Sequence, residues 1–217
     1  MTKNHKFITL ISFIVILVIS LGIIAGPSLY VLFPLPSDDY VRKFNREFRE
    51  SLYNPEEIPA ALHTISQGIK VYPDRLDLRF GKMFACKTYK NPDCISAEII
   101  DMSRRSVKNN NQWQWLNGET RDKKFMLENI VAYQHDLFKF EADNALEASV
   151  RSILQYYPDN YENLNMLGVL YILRNDPNTG EKYLNQAHKL APDDEIINKN
   201  LRELKLRRQQ LSERNTH

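Results

Sequence analysis

The hydrophobic pattern begins with a long apolar stretch at the N-terminus, and the remaining chain mixes apolar and polar positions at helical spacing. No charged residue occurs from Phe7 to Phe33, and Phe7–Ala25 is rich in Ile, Leu, Val and Phe. A transmembrane helix needs about 20 apolar residues. The alternative, a cleaved signal peptide, usually has a shorter apolar region that ends at a small-residue site, which Ile23-Ile24-Ala25 does not provide. Residues 1–36 are therefore predicted to form a tail and a transmembrane anchor, with membrane contact through residues 7–33.

The segment Tyr161–Asp194 carries the clearest pattern of the remaining chain. Its apolar, small and helix-breaking positions are Leu164, Leu167, Gly168, Tyr171, Gly180, Leu184, Ala187 and Pro192. The tetratricopeptide repeat places W-x2-L-G-x2-Y, then A-x3-F, then Pro within 34 residues. Tyr161–Asp194 resembles this repeat, with Leu in the Trp position and Gly in the first Ala position. The resemblance implies a right-handed superhelix of helical hairpins that binds other proteins.

The same spacing extends upstream and predicts four hairpins and a final helix. Two degenerate hairpins occupy residues 37–107, and hairpins three and four occupy 124–194. The apolar series Ile196, Ile197, Leu201 and Leu204 predicts an amphipathic helix in 195–217 that caps the last repeat. The predicted fold is all-α: a transmembrane helix, then an α-solenoid of about four tetratricopeptide-like hairpins and a capping helix. Small residues where helices cross are expected to allow close approach.

Three aspartates are predicted to cap helices. Asp74, Asp159 and Asp193 each follow a proline, at points where a new helix is predicted to begin. An aspartate side chain can accept a hydrogen bond from the free N–H groups of a helix's first turn.

An insertion interrupts the repeat pattern. Equivalent positions lie 34 or 35 residues apart within each half of the repeat region, but 50 residues separate Met83 from Tyr133. About 16 additional residues therefore form a loop at 108–123, which holds both tryptophans, Trp113 and Trp115. Two interpretations remain open. The rings either project towards a partner, where tryptophan is a frequent hot spot, or fold back over the groove between hairpins two and three.

A concave groove is predicted on the first helices of hairpins three and four. The residues predicted to face it are Glu128, Val131, His135, Phe138, Glu162, Asn165, Val169 and Ile172. This composition suits an extended or helical segment with apolar anchors. Some tetratricopeptide domains hold a partner's C-terminal carboxylate with Lys, Arg and Asn side chains, and that set is not present at the matching positions here. The alternative is a solvated face, or one that the insertion covers.

The only two cysteines, Cys86 and Cys94, flank the predicted turn of hairpin two. A disulfide across this turn would persist in an oxidising compartment, and two buried free thiols are the alternative. The spacing matches no zinc or redox motif.

Charge and composition argue against nucleic-acid binding and catalysis. Residues 37–217 contain 27 basic and 27 acidic side chains, so phosphate neutralisation is not indicated. The five histidines are scattered, and no nucleophile-elbow, P-loop or dinucleotide fingerprint occurs. No catalytic residue, metal site or cofactor is predicted.

The sequence thus predicts a non-enzymatic scaffold or adaptor that binds a protein partner of unknown identity through its groove. Lys3 and Lys6 precede the anchor and Arg42 and Lys43 follow it, so the orientation is open. We favour a single-pass protein of a bacterial inner membrane with a periplasmic domain. Two alternatives are a structural subunit of a larger membrane complex and an accessory factor of an envelope pathway such as cytochrome c maturation.

Overall fold

The computed structural model describes residues 37–110, 112–115 and 119–214, which form helices and one short strand pair. The helices are α1 (Ser37–Ser51), α2 (Ile58–Val71), α3 (Leu76–Thr88), α4 (Pro92–Lys108), α5 (Lys123–Lys139), α6 (Asp143–Tyr156), α7 (Tyr161–Leu173), α8 (Pro177–Leu190) and α9 (Glu195–Arg214). A 3-10 helix, Pro55–Glu57, precedes α2, and the antiparallel strands β1 (Trp113–Gln114) and β2 (Thr120–Arg121) precede α5. The all-α prediction is confirmed for this part of the chain, since the strands are only two residues long.

The predicted anchor, residues 7–33, lies outside the described residues. Within the described ranges, no helix is both long and apolar enough to cross a membrane. The orientation inferred from the flanking basic residues stays a prediction.

Consecutive helices pack as four hairpins, α1–α2, α3–α4, α5–α6 and α7–α8, and α9 follows them. One buried apolar core runs from Leu76 in α3 to Leu170 in α7, through hairpins two to four. A separate core lies between hairpin one and α3, and includes Tyr40, Phe44 and Leu78. Each hairpin packs on the next, an arrangement consistent with a helical solenoid.

The caps of α7 and α9 lie one residue beyond the predicted aspartates. Asn160 accepts a hydrogen bond from the backbone N–H of Asn163 (2.9 Å), and Asp194 accepts from that of Ile197 (2.9 Å). The residue before α3 is Arg75, which makes no side-chain cap. The predicted capping roles of Asp74, Asp159 and Asp193 are therefore wrong, although the helix starts were placed within about two residues.

The two helices of hairpin four cross closely because glycine stands at each side of the crossing. A Cβ atom added to Gly180 would lie 2.7 Å from the backbone oxygen of Gly168 and 2.6 Å from Cγ1 of Ile172. A Cβ atom added to Gly168 would lie 2.7 Å from Cγ of Leu184. A side chain at either position would push α7 and α8 apart.

The Gly180→Ala substitution is expected to lower the free energy of unfolding by about 1–3 kcal/mol, the usual cost of overpacking. A loss of stability would be informative, because helix propensity alone predicts that alanine stabilises a helix relative to glycine by about 1 kcal/mol. Urea unfolding followed by circular dichroism measures the change.

Gly81 in α3 is the matched control, since an added Cβ there meets its nearest atom, Cε1 of Phe44, at 3.4 Å. Gly81→Ala is expected to be neutral or to stabilise by up to about 1 kcal/mol. Equal effects at Gly81 and Gly180 would contradict the close crossing in hairpin four.

Candidate functional site

The strongest candidate site is a groove bounded by α5, α7 and α9, hereafter the α5–α7–α9 groove. It contains two adjoining cavities of about 150 and 170 Å³ that share Phe138, Val169 and Asn200 in their walls. His135 and Asn165 line one cavity, and the other is lined by the residues Ile172, Leu173, Glu203, Leu204 and Arg207. Five of the eight predicted groove residues thus meet in one place: His135, Phe138, Asn165, Val169 and Ile172.

Hydrogen bonds fix the helices that frame the groove. Between α5 and α7, the buried Gln134 donates through Nε2 to Oδ1 of the buried Asn163 (2.8 Å). Across the groove, Nδ2 of Asn200 in α9 donates to Oδ1 of Asn165 in α7 (2.9 Å). Because buried amides are costly to leave unpaired, the first of these bonds favours a single spacing of α5 and α7.

Large apolar side chains remain open to solvent at this site. Phe138 is 41% exposed, Leu173 is 55% exposed and Ile196 is 64% exposed. Single exposed apolar residues are normal on protein surfaces, whereas a cluster around a cleft is typical of an interaction site.

One end of the groove, beside the cavity that His135 lines, is acidic, although the acidic side chains there lie outside the cavity walls. Burial raises the pKa of Glu162, and the neighbouring carboxylates of Glu128 and Asp194 raise it further, while His135 opposes them. The described residues provide no hydrogen-bond or salt-bridge partner for the carboxylate of Glu162. A cation at this end would therefore relieve repulsion among like charges.

Glu128, Val131 and Glu162 do not line the two cavities, in contrast to the other predicted groove residues. Glu128 is exposed and lies 3.8 Å from Nζ of Lys124 through its Oε1 atom, and Val131 is half-buried. These residues belong to the same helices but lie outside the cavity walls.

Helix α9 packs on hairpin four and also lines the α5–α7–α9 groove. Its Ile197 and Leu204 are buried, the former against Leu164 and Ala187 of hairpin four. Its neighbouring face supplies Ile196, Asn200 and Arg207 to the groove. The adjacent residues Ile196 and Ile197 indicate this second face from the sequence, because one face of a helix cannot bury two consecutive side chains.

Trp113 is not available to a partner, so its prediction as a binding residue is wrong. Its side chain is 0% exposed and belongs to the main core. Trp115 is half-buried, and its ring packs against the rings of Phe125 (5.2 Å between centroids) and Phe80 (6.0 Å). Of the two open interpretations, the structure favours the one in which the insertion folds back onto hairpins two and three.

An ion-pair network explains why the insertion folds inwards. The buried Arg79 guanidinium lies over the Trp113 ring, 5.7 Å from its centroid. The same guanidinium pairs with the buried carboxylate of Glu98 and donates to Oδ2 of Asp101 (2.9 Å). The Gln114 backbone N–H donates to the Asp74 carbonyl (2.9 Å), which ties β1 to the start of α3.

The two cysteines are paired in the structure, with 5.9 Å between the Cα atoms of Cys86 and Cys94. This distance lies within the range of native disulfides. The bond joins the end of α3 to the first turn of α4, away from the α5–α7–α9 groove, so its role is to tie hairpin two together.

The described walls of the α5–α7–α9 groove combine apolar side chains with amide and charged ones. Among the described residues, no group of three or more His, Cys, Asp or Glu side chains could hold a metal ion. His135 lines a cavity beside Phe138 and Val169, without a nucleophile or paired acid among the residues of that cavity.

Comparison with known proteins adds no identification. No model of a protein family matches the chain, and no curated protein matches it.

Proposed function

We propose that this chain is a tetratricopeptide-like adaptor that is held at a membrane by residues 7–33. It binds a protein segment in the α5–α7–α9 groove and does not catalyse a reaction. One observation carries the proposal. Residues that the repeat spacing assigned to a binding face line two adjoining cavities, and exposed Phe138, Leu173 and Ile196 lie at the same place.

The size of the cavities favours a protein segment over a small molecule. Sites that enclose a small ligand usually have a volume of about 300–1,000 Å³. Each cavity here, at about 150 or 170 Å³, suits one apolar side chain. Two such cavities side by side suit successive anchors of a helix or an extended segment.

The acidic end of the groove defines the partner further. A partner with a Lys or Arg beside its apolar anchors would place a cation near Glu162 and Glu128. That contact would lower the raised pKa of Glu162, because a nearby positive charge favours the ionised carboxylate. Binding is then expected to weaken as the pH falls through the pKa of Glu162.

The substitution Val169→Glu is expected to reduce the amount of bound partner at least about tenfold, because it places a carboxylate in the wall shared by both cavities. The measurement is the yield of crosslinked partner per copy of the chain, after mild crosslinking of native membranes. Phe138→Asp is a second groove variant, at a more exposed position.

Val107→Glu is the matched control, since Val107 of α4 is 56% exposed and lies outside both cavities. It is expected to leave the yield unchanged. Unfolding curves of each variant separate lost binding from lost folding. A yield that is unchanged in both folded groove variants would remove the groove from the proposal.

A further inference from the structure

A second cleft lies between α6 and α8, on hairpins three and four, and is named here the α6–α8 cleft. Its volume is about 590 Å³, larger than that of both groove cavities together. Apolar side chains that line it include Leu154, Leu164, Leu167 and Leu190. None of the residues of the α5–α7–α9 groove lines this cleft.

The second helices of hairpins two and three, α4 and α6, pack in direct contact, in contrast to α6 and α8. Between α4 and α6, Oγ of Ser96 donates to the Ala145 carbonyl (2.9 Å), and the hydroxyls of Ser103 and Ser152 lie 2.6 Å apart. Small serine side chains allow this close approach. Larger side chains line the walls between α6 and α8, among them Gln155 and Gln186, and the cleft stays open.

The cleft carries positive charge. Arg151 and Lys189 line it, and no described acidic residue does. Arg151 is already paired with Glu147, with 2.7 Å between Nε and Oε1. Lys189 has no salt-bridge partner among the described residues. An occupant with carboxylates beside an apolar group is therefore complementary to this surface.

The chain itself presents such a segment, the turn of hairpin one from Leu52 to Glu57. Tyr53 is 92% exposed, the highest value among the exposed large hydrophobic residues of the described chain, and Leu52 is 53% exposed. Glu56 and Glu57 follow within four residues, and their carboxylates have no salt-bridge partner among the described residues. An exposed apolar pair beside unpaired acids is the counterpart of the α6–α8 cleft.

The start of this turn is held against hairpin two. The Ser51 hydroxyl is hydrogen-bonded to the Tyr89 hydroxyl, which fixes the end of α1 against the end of α3. Hairpin two and helix α5 lie between this turn and α6 along the chain, and among the described residues hairpin one packs on hairpin two and not on α6 or α8. A contact between turn and cleft therefore has to join two molecules.

We propose that the α6–α8 cleft receives the Leu52–Glu57 turn of a second copy of this chain. Tyr53 and Leu52 pack on the leucines of the cleft, and the carboxylates of Glu56 and Glu57 face Lys189 and Arg151. The contact joins two different surfaces, so it produces rings or open chains of molecules unless two copies exchange both contacts in a symmetric dimer. It is separate from the groove proposed for the partner.

Sedimentation velocity of the full chain in mild detergent, over a range of protein concentrations, tests this contact. Tyr53→Ala and Lys189→Glu are each expected to raise the dissociation constant at least about tenfold, as expected for a central anchor and a charge contact. Lys205→Glu in α9 is the matched control, because it makes the same charge change at an exposed position outside the cleft. Any association through residues 1–36 is common to all these chains, so the differences report on the turn and the cleft.

A charge swap completes the test. The double variant Glu56→Lys, Glu57→Lys is expected to be weakened alone, and its mixture with Lys189→Glu is expected to recover association to within about threefold of the unaltered chain. Recovery supports the proposed pairing. Overlapping sedimentation profiles for the unaltered chain, Tyr53→Ala and Lys189→Glu would overturn it, and so would failure of the mixture to recover.

Discussion

Replacing Trp113 by alanine is expected to lower the free energy of unfolding by about 3–5 kcal/mol, the usual cost of truncating a buried tryptophan. The ring is fully buried in the main core and lies against the Arg79 guanidinium. Its removal leaves a cavity beneath the insertion and takes away the side-chain packing that, with the Gln114–Asp74 backbone hydrogen bond, holds β1 on hairpin two. Chemical unfolding followed by circular dichroism measures the change without relying on tryptophan fluorescence.

Two further substitutions test the described packing of the insertion. Trp113 Nε1 has no hydrogen-bond partner among the described residues, so Trp113→Phe loses volume but no hydrogen bond and is expected to cost less than alanine. Trp115→Ala is expected to cost less than half as much as Trp113→Ala, because Trp115 is only partly buried. If Trp115→Ala proved the more destabilising of the two alanine variants, the described packing of the insertion would be wrong.

Removing the Glu98 carboxylate is expected to destabilise the protein by about 3–4 kcal/mol, because it leaves the charge of buried Arg79 with less compensation. Arg79 also donates through Nε to the Pro73 carbonyl (2.7 Å), so it cannot readily turn towards water. Glu98 is shared with Lys82, whose Nζ lies 2.9 Å from Oε2. Thermal and urea unfolding of Glu98→Ala measure the loss.

Asp101 belongs to the same ion-pair network, and its pKa is lowered by its partners. Burial alone would raise this pKa, but the guanidinium groups of Arg79 and Arg105 outweigh burial and lower it. The carboxyl of Asp101 is therefore ionised at neutral pH. The stability that Asp101 contributes is present above its unfolded pKa and is lost as the pH falls through the lowered folded value.

Two control experiments test whether burial of the Arg79–Glu98 ion pair accounts for the expected loss of stability. Glu119→Ala breaks the pair between Glu119 Oε2 and Arg121 Nη2 (2.6 Å), which is largely exposed, and is expected to cost less than about 1 kcal/mol. The joint replacement Arg79→Met with Glu98→Leu is expected to be much milder than Glu98→Ala, because no charge is then left unpaired between them. Similar losses for Glu98→Ala and Glu119→Ala would show that the Arg79 network is solvated.

The helical pairs could be predicted from sequence because small residues and apolar spacing are local features. Gly168 and Gly180 marked the crossing of hairpin four, and the structure places both glycines at that crossing. The caps were displaced by one residue because asparagine and aspartate cap helices about equally well. The pairs Asp159-Asn160 and Asp193-Asp194 therefore offer two adjacent candidates each.

The tertiary contacts of the insertion and of α9 were harder to predict. Trp113 is buried against Arg79 of helix α3, and nothing in the Trp-rich segment itself indicates that partner. The groove depends on the angle at which α9 packs on α7 and α8, and this angle decides that Ile197 is buried while Ile196 lines a cavity. Local spacing indicates which residues share a face of a helix, but not which other element covers that face.

Site-specific photocrosslinking tests the central claim, that the α5–α7–α9 groove binds a partner, most directly. A photoreactive phenylalanine derivative is placed at Phe138 or, as a control, at Phe84 of α3, in the full chain in its native membranes. The two positions carry the same residue type and are 41% and 51% exposed, but only Phe138 lines the groove. The expected result is a crosslinked protein partner at Phe138 and background labelling at Phe84. Equal labelling at both positions, or none at Phe138, would contradict the account.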